Sequence, residues 1–172
     1  MKVLLSEKID EAGIRFLKEH AEVSIAKNTS KEELVKSIKG MDAVIIRSSQ
    51  MYDEVIEAAD RLKVVGRHGI GLDNIDLEFV FSKGIKVVNT PTANSNSVAE
   101  HVIAMMMALS KKLVICDRKM KNKDLCVEGI SLTGYAVSLG CGGLELKGKN
   151  LAIAGFGRIG RLIAQKCVAA FD

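Results

Sequence analysis

The stretch Asn150–Asp172, which reads NLAIAGFGRIGRLIAQKCVAAFD, decides the fold because an apolar run, a glycine turn and a helical pattern follow one another in it. Leu151–Ala154 is short and apolar, which predicts a strand buried on both faces of a parallel sheet. Gly155–Gly160 then fits the pattern GxGxxG, and apolar residues follow it at helical spacing. The sequence therefore predicts a strand that leads into a phosphate-binding turn at the start of a helix.

The three glycines of this turn have different expected roles. Gly155 makes the tight turn, Gly157 lets a pyrophosphate approach the backbone, and Gly160 lets the helix pack closely on the strand. The phosphate is expected on the amides around Arg158 and Ile159, where the helix dipole favours negative charge. A plain structural turn is the alternative, because glycine turns between strands and helices are common in α/β proteins.

Short apolar runs alternate with helical patterns through the first part of the chain. The predicted strands are Val3–Leu5, Val23–Ala26, Ala43–Arg47, Lys63–Arg67 and Lys86–Asn89. The predicted helices are Ile9–His20, Glu32–Ile38 after the capping residue Ser30, Tyr52–Ala59 and Leu77–Ser82. This alternation predicts an α/β fold with a parallel sheet and helices on both of its faces.

A polar loop, Asn89–Asn96, interrupts the alternation and holds the only proline of the chain. Ser97–Glu100 then reads as a capping box that opens a helix, and this helix is apolar nearly all round. Such a helix must be covered on most sides. The loop and the helix predict a domain boundary, with one domain over residues 1–97 and another over residues 98–172.

Composition and charge exclude several classes of protein. The net charge is +4, but the lysines are scattered and aromatic residues make up 4% of the chain, so no nucleic-acid partner is expected. The most apolar segment, Val98–Cys116, is broken by charged residues, and no membrane span is expected. No metal site is expected, and the cysteines are expected to be reduced thiols in the cytoplasm; they are Cys116, Cys126, Cys141 and Cys167.

Three loops follow predicted strands, at the sheet edge where open α/β folds bind their ligands. They are Arg47–Ser49, Gly66–Asn74 and Asn89–Asn94. The amides around Gly69 and Gly71 suit a carboxylate or a phosphate, and Arg47 can add a positive charge. The loops therefore predict a site for a small anion.

Four motifs in these positions carry a family resemblance, namely IIRSS at 45–49, VVGRHGIGLDNID at 64–76, VVNTPTANSNSVAEH at 87–101 and GFGRIG at 155–160. Together they resemble the D-isomer-specific 2-hydroxyacid dehydrogenases. The resemblance implies a flavodoxin-like substrate domain over residues 1–97 and the start of a Rossmann NAD-binding domain over residues 98–172. It also implies a homodimer, formed in part by the apolar helix after Ser97.

The same resemblance implies an NAD-dependent oxidation of the CH–OH group of a D-2-hydroxy acid, with 3-phosphoglycerate, the precursor for serine biosynthesis, as the expected substrate. The implied substrate-binding residues are Arg47, Ser48, Gly69, Ile70, Gly71 and Asn94. The implied NAD-binding residues are Ile70, Val98, Gly155, Gly157, Arg158, Ile159 and Gly160. The family's catalytic arginine, glutamate and histidine are expected beyond residue 172, which implies a truncated chain that is inactive alone.

Several structural alternatives stand beside these roles. Arg47 can instead pair with a neighbouring carboxylate, and Asn94 can instead form an Asx turn. Arg67 is expected in a structural ion pair, and capping of the turn and of the Leu77 helix is expected from Asp73, Asn74 and Asp76. A non-catalytic module that senses a dinucleotide, like the family's corepressor branch, is the alternative function.

Overall fold

The computed structural model describes residues 1–124 and 127–171, and Cys126 therefore lies outside the described residues. The chain divides into two compact units, Met1–Ala93 and Asn94–Asp172. The assignment of substrate binding to the first and of nucleotide binding to the second stays a prediction.

The first unit contains five strands with a helix between each consecutive pair. The strands are β1 (Lys2–Leu5), β2 (Glu22–Ile25), β3 (Ala43–Ile46), β4 (Val64–Arg67) and β5 (Lys86–Asn89). The helices are α1 (Glu11–His20), α2 (Lys31–Ser37), α3 (Asp53–Glu57) and α4 (Leu77–Ser82). The strands and helices that the sequence predicts in this part are all present, with small differences at their ends.

The five strands form one parallel sheet in the order β2-β1-β3-β4-β5. This is the flavodoxin-like order of a doubly wound sheet. The α/β class and the flavodoxin-like arrangement expected from the sequence are therefore confirmed. The strand order changes direction between β1 and β3, and the crevice outside their carboxyl ends is where such sheets bind ligands.

Residues that alternate along the strands pack on opposite faces of this sheet. One face packs against α2, α3 and α4 in the larger core cluster, and its strand residues are Leu4, Val44, Ile46 and Val65. The other face packs against Ile14 of α1, and its strand residues are Val3, Leu5 and Ala43. Because the central strands are held from both sides, the loops at their carboxyl ends start from fixed positions.

The caps of two short helices follow the sequence prediction. The Ser30 hydroxyl accepts a hydrogen bond from the Glu33 amide at 3.3 Å and so caps α2. The Asp76 carboxylate accepts one from the Phe79 amide at 2.9 Å and caps α4. After α4, Gly84 has a φ of 72°, a left-handed conformation that glycine adopts without strain.

The second unit is helical where it has regular structure. Its elements are α5 (Ser95–Ser110), α6 (Leu113–Lys121), α7 (Leu132–Ala136), a π-helical turn (Val137–Cys141) and α8 (Arg158–Phe171). The domain boundary predicted between residues 97 and 98 falls inside α5, whereas the division between the compact units lies before this helix.

The capping box predicted at Ser97 is wrong. Helix α5 begins at Ser95, with Asn94 as its N-cap residue, so Ser97 and Glu100 both lie within the helix. The Glu100 carboxylate accepts a hydrogen bond from the Asn96 side chain at 2.8 Å instead of reaching back to an amide of residue 97. Helix α5 therefore begins earlier in the chain than the serine pattern indicates, within the polar loop.

The strand predicted at Leu151–Ala154 is also wrong, since this segment has no regular secondary structure. A parallel strand is defined by hydrogen bonds to neighbouring strands, and no strand occurs in the described part of the second unit. Leu151 is 44% exposed, whereas Ile153 packs with α5 and α8 around Ala99. The segment therefore lies against the helices without a sheet around it.

The apolar helix α5 is less covered than its composition predicts. Its Ala99 is fully buried against α8, but Leu109 is 78% exposed and Met105 is 46% exposed.

Among the residues that the structure describes, no helix is long and apolar enough to cross a membrane. In the same residues, no group of three or more His, Cys, Asp or Glu side chains is placed to hold a metal ion.

Candidate functional site

In the first unit, the polar residues after β1 and β3 meet at the point where the strand order changes direction. Glu7 follows β1, and Ser48 and Ser49 follow β3. The Glu7 carboxylate accepts hydrogen bonds from the Ser48 amide at 2.7 Å, the Ser48 hydroxyl at 2.7 Å and the Ser49 amide at 2.9 Å. The side chain that follows one central strand therefore fixes the loop that follows the other.

A buried pair of serines reinforces the contact between Glu7 and its loop. The hydrogen bonds of this contact also change the acidity of the Glu7 carboxyl group. The hydroxyls of Ser6 and Ser49, both buried, lie 2.7 Å apart. Burial acts to raise the pKa of Glu7, but the hydrogen bonds from Ser48 and Ser49 outweigh it and hold the pKa below its ordinary value. Glu7 is therefore ionised at neutral pH and binds its loop as a carboxylate.

Arg47 begins this loop and is exposed. Within residues 1–124 and 127–171 its guanidinium group has no hydrogen bond or ion pair, so the alternative of a structural pair with a neighbouring carboxylate is not formed. The neighbouring Ser48 hydroxyl, in contrast, is engaged by Glu7. The arrangement leaves an unpaired cation at the sheet edge, free to contact an anion.

The loop after β4 presents backbone amides at the same edge. The Gly69 amide donates to the Arg67 carbonyl at 2.8 Å, whereas the Ile70 and Gly71 amides have no partner in the described part of the chain. The Asn89 side chain donates to the Ile70 carbonyl at 2.8 Å, and the Thr90 amide donates to the Gly69 carbonyl at 2.9 Å. Two of the three amides expected to bind a carboxylate are therefore available.

Arg67 is not in the structural ion pair that the sequence predicts. Its guanidinium donates to the Asn74 side-chain oxygen at 3.2 Å and to the His68 carbonyl at 2.6 Å, both neutral acceptors. Asn74 in turn donates to the Ser49 carbonyl at 2.7 Å, which joins the loops after β3 and β4. A Cβ atom at Gly69 would lie 2.8 Å from the guanidinium carbon of Arg67, so a larger residue there would displace this side chain.

In the second unit, the glycine turn has the local geometry that a dinucleotide needs. Gly155 has a φ of 90°, which favours glycine. A Cβ atom at Gly157 would meet nothing within 4 Å, so the backbone there is open to a ligand. At Gly160 a Cβ atom would collide with the Gly155 carbonyl oxygen, which shows how closely α8 approaches the turn. These residues fit the pyrophosphate of a dinucleotide.

The remaining predicted site residues lie on the second unit's helices. Arg158 and Ile159 form the first turn of α8, next to the open backbone at Gly157. Asn94 is exposed, and its side chain makes no hydrogen bond to the described chain, so the Asx turn is not formed. Val98 is half-buried in the first turns of α5. Arg47, Ser48 and Gly69–Gly71 lie in the first unit.

Comparison with known proteins places the chain in a family. A family model described as D-isomer specific 2-hydroxyacid dehydrogenase, catalytic domain, matches residues 3–172. The chain belongs to this family. The resemblance drawn from the sequence motifs is therefore confirmed.

Two curated relatives of this chain carry different enzyme names. The chain is 38% identical over 171 residues to a D-3-phosphoglycerate dehydrogenase of Archaeoglobus fulgidus, covering 98% of this chain and 30% of that protein. It is 33% identical over 169 residues to a glyoxylate reductase of Thermococcus onnurineus, covering 96% of this chain and 49% of that protein. The chain thus spans less than half of the length of either relative.

A solved structure in the family has the same fold. It is the NAD⁺-bound 3-phosphoglycerate dehydrogenase of Entamoeba histolytica, with a TM-score of 0.71 and 30% sequence identity. The match covers 98% of this chain and 51% of that one.

Sequence reasoning missed Glu7, Ser49 and Asn74 as parts of the candidate site. Glu7 orders the loop that carries Arg47, and Asn74 joins that loop to the next one. The sequence held one signal for Glu7, because a carboxylate directly after the first predicted strand of a doubly wound sheet lies near the ligand crevice. No sequence signal marks the pairing of Ser49 with Asn74, which depends on the register of β3 and β4.

The hydrogen bonds of Glu7 predict a pH dependence of its loop. Because the folded-state pKa is lowered, the stabilisation is present above the unfolded pKa of about 4.3 and is lost as the pH falls through the folded value. We expect the amide NMR signals of Ser48 and Ser49 to titrate in acid in the wild type and to stay constant in Glu7→Gln. Glu11→Gln, at an exposed glutamate paired with Lys8, is the control and should keep the wild-type titration. A titration that survives in Glu7→Gln would contradict this assignment.

Proposed function

We propose that this chain supplies the substrate-binding and dinucleotide-binding residues of an NAD-dependent dehydrogenase that oxidises the CH–OH group of a D-2-hydroxy acid. The observation that carries the proposal is the unpaired Arg47 guanidinium at the carboxyl edge of the sheet, in the same unit as the unpartnered amides of Ile70 and Gly71. Cations and free amides are the groups that bind carboxylates and phosphates. Family membership supplies the reaction class.

The proposed substrate is 3-phosphoglycerate, and the proposed product is 3-phosphohydroxypyruvate. The names of the relatives from Archaeoglobus fulgidus and Entamoeba histolytica support this choice. In the proposal the amides of Ile70 and Gly71 hold the carboxylate, as a neutral donor pair suits a small anion, while Arg47 contacts the rest of the substrate.

The proposed cofactor is NAD, which the solved relative from Entamoeba histolytica carries. Its pyrophosphate would lie on the turn at Gly155–Gly160, where the open backbone of Gly157 supports the assignment. Val98 of the same unit would contact its nicotinamide end, and when bound it accepts a hydride from the substrate carbon. The residues of this chain bind and orient, and none of them is assigned the proton transfer.

We further propose that the protein is a cytoplasmic homodimer. The support is an exposed apolar surface on the second unit, where Leu109 is 78% exposed, Val114 is 65% exposed and Leu113 is 54% exposed. Large apolar side chains left exposed at the end of α5 and the start of α6 favour a contact with another protein. Sedimentation of the purified chain at several concentrations would measure the proposed association.

The substrate proposal predicts a specific loss of binding when Arg47 is changed. We expect Arg47→Met to weaken 3-phosphoglycerate binding about tenfold or more, because a charge-assisted hydrogen bond is removed. The measurement is an NMR titration that follows the Ile70 and Gly71 amides. Arg15→Met, at an exposed arginine of α1, should bind like the wild type. Equal binding by both variants would overturn the role of Arg47, and tighter binding of glyoxylate than of 3-phosphoglycerate would overturn the substrate.

A further inference from the structure

Two cysteines of the second unit lie together, away from the glycine turn. Cys116 belongs to α6, and Cys141 ends the π-helical turn that packs against this helix. The Cys116 thiol donates to the Cys141 carbonyl oxygen, with a sulfur-to-oxygen distance of 3.8 Å. Both residues are half-buried, and both are free thiols. The two side chains are therefore neighbours in the folded chain although 24 residues separate them in the sequence.

The backbone around the pair is held in place by contacts that do not involve the thiols. The Leu144 amide donates to the Ser110 carbonyl at 2.9 Å, which ties the segment after Cys141 to the end of α5. A Cβ atom at Gly143 would lie 2.9 Å from the Ser110 oxygen and 3.0 Å from the Lys111 Cα, so the two backbones are in close contact there. Because Lys111 and Lys112 lead directly into α6, this anchor keeps Cys141 beside Cys116.

The surroundings of Cys141 change the acidity of its thiol. Burial raises the pKa of the Cys141 thiol, and its hydrogen bond with Cys116 raises it further, against a smaller opposing effect of Lys119 and Lys112. Since the thiolate is the nucleophile, the raised pKa makes the reaction of Cys141 slow at neutral pH and faster as the pH rises.

We propose that Cys116 and Cys141 are a covalent modification site at which a hydroperoxide converts the two thiols into an intramolecular disulfide. One thiolate attacks a peroxide oxygen, the O–O bond breaks, and a sulfenic acid and hydroxide form. The second thiol attacks the sulfenic sulfur, the S–S bond forms and water leaves. The two sulfurs lose two electrons in total, and the peroxide is reduced by two electrons. This site is independent of the proposed dehydrogenase function.

The test is oxidation of the purified 172-residue chain with hydrogen peroxide, followed by peptide mapping by mass spectrometry without reduction. We expect one cross-linked peptide pair that contains Cys116 and Cys141, and its loss after treatment with dithiothreitol. The rate of its formation should rise about tenfold per pH unit while the thiols are mostly protonated. Cys116→Ser and Cys141→Ser should each abolish the cross-link, whereas Cys167→Ser, at a buried thiol packed against α5, should keep it.

The same oxidation in guanidinium chloride provides a second comparison. The unfolded chain should give mixed pairs among all four cysteines, because nothing then holds Cys141 beside Cys116. The proposal is overturned if the folded chain pairs Cys126 with either residue, if it forms only sulfinic or sulfonic acids, or if folded and unfolded chains give the same mixture.

Discussion

Gly160→Ala is expected to destabilise the second compact unit, because the new Cβ atom has no room. It would collide with the Gly155 carbonyl oxygen and lie 3.3 Å from the Ile153 side chain. Helix α8 cannot move away freely, since Ile163 and Cys167 of the same helix are buried against α5. Overpacking of this kind typically costs about 1–3 kcal/mol when backbone atoms must shift. Circular dichroism during heating should show a lower melting temperature and a loss of helix.

Gly157→Ala is the matched control, because it adds the same methyl group to the same turn. A Cβ atom there meets nothing within 4 Å, so this variant should melt like the wild type. Under the proposed function it should nevertheless bind NADH about tenfold more weakly or worse by calorimetry, because the methyl group keeps the pyrophosphate away from the backbone. A Gly160→Ala protein with wild-type stability would contradict the close approach of α8, and unchanged NADH binding by Gly157→Ala would contradict the cofactor assignment.

The sequence predicts the first unit well because its signals are local and agree with one another. Each strand is a short apolar run, and capping residues such as Ser30 and Asp76 lie where the helices start. The parallel order then follows from the alternation of strands and helices. The glycine turn is predicted for the same reason, since the three glycines act within one short segment.

The errors occur where structure depends on distant residues. Leu151–Ala154 has the composition of a strand, but a strand also needs neighbours to hydrogen-bond, and the described part of its unit has none. Ser97 and Glu100 have the spacing of a capping box, but the helix had already begun in the preceding polar loop. A pattern in the sequence indicates what a segment can form, and the neighbours decide whether it does.

The candidate anion site shows the same difference between local signals, which sequence reasoning detects, and contacts between distant residues, which it does not. Arg47 and the glycines of the β4 loop are predicted because they stand directly after strands. Hydrogen bonds join Glu7 to the Ser48 and Ser49 amides, which lie 41 and 42 positions further along the sequence. Only the sheet order brings these residues together. Sequence reasoning therefore identified the groups proposed to bind the anion and missed the carboxylate that positions their loop.

Ile46→Ala is expected to destabilise the first unit by about 2–5 kcal/mol, the usual cost of a large cavity in a core. Ile46 is fully buried in the middle of the sheet, and its carbonyl also accepts the His68 amide at 2.8 Å. The cavity would lie directly before Arg47 and beside the start of the β4 loop, so 3-phosphoglycerate binding should weaken together with the stability. Ile25→Ala removes the same atoms from the edge strand β2, where the side chain is 45% exposed, and should cost about 1 kcal/mol or less. Urea unfolding measures both variants, and equal losses would show that Ile46 is not held in a packed core.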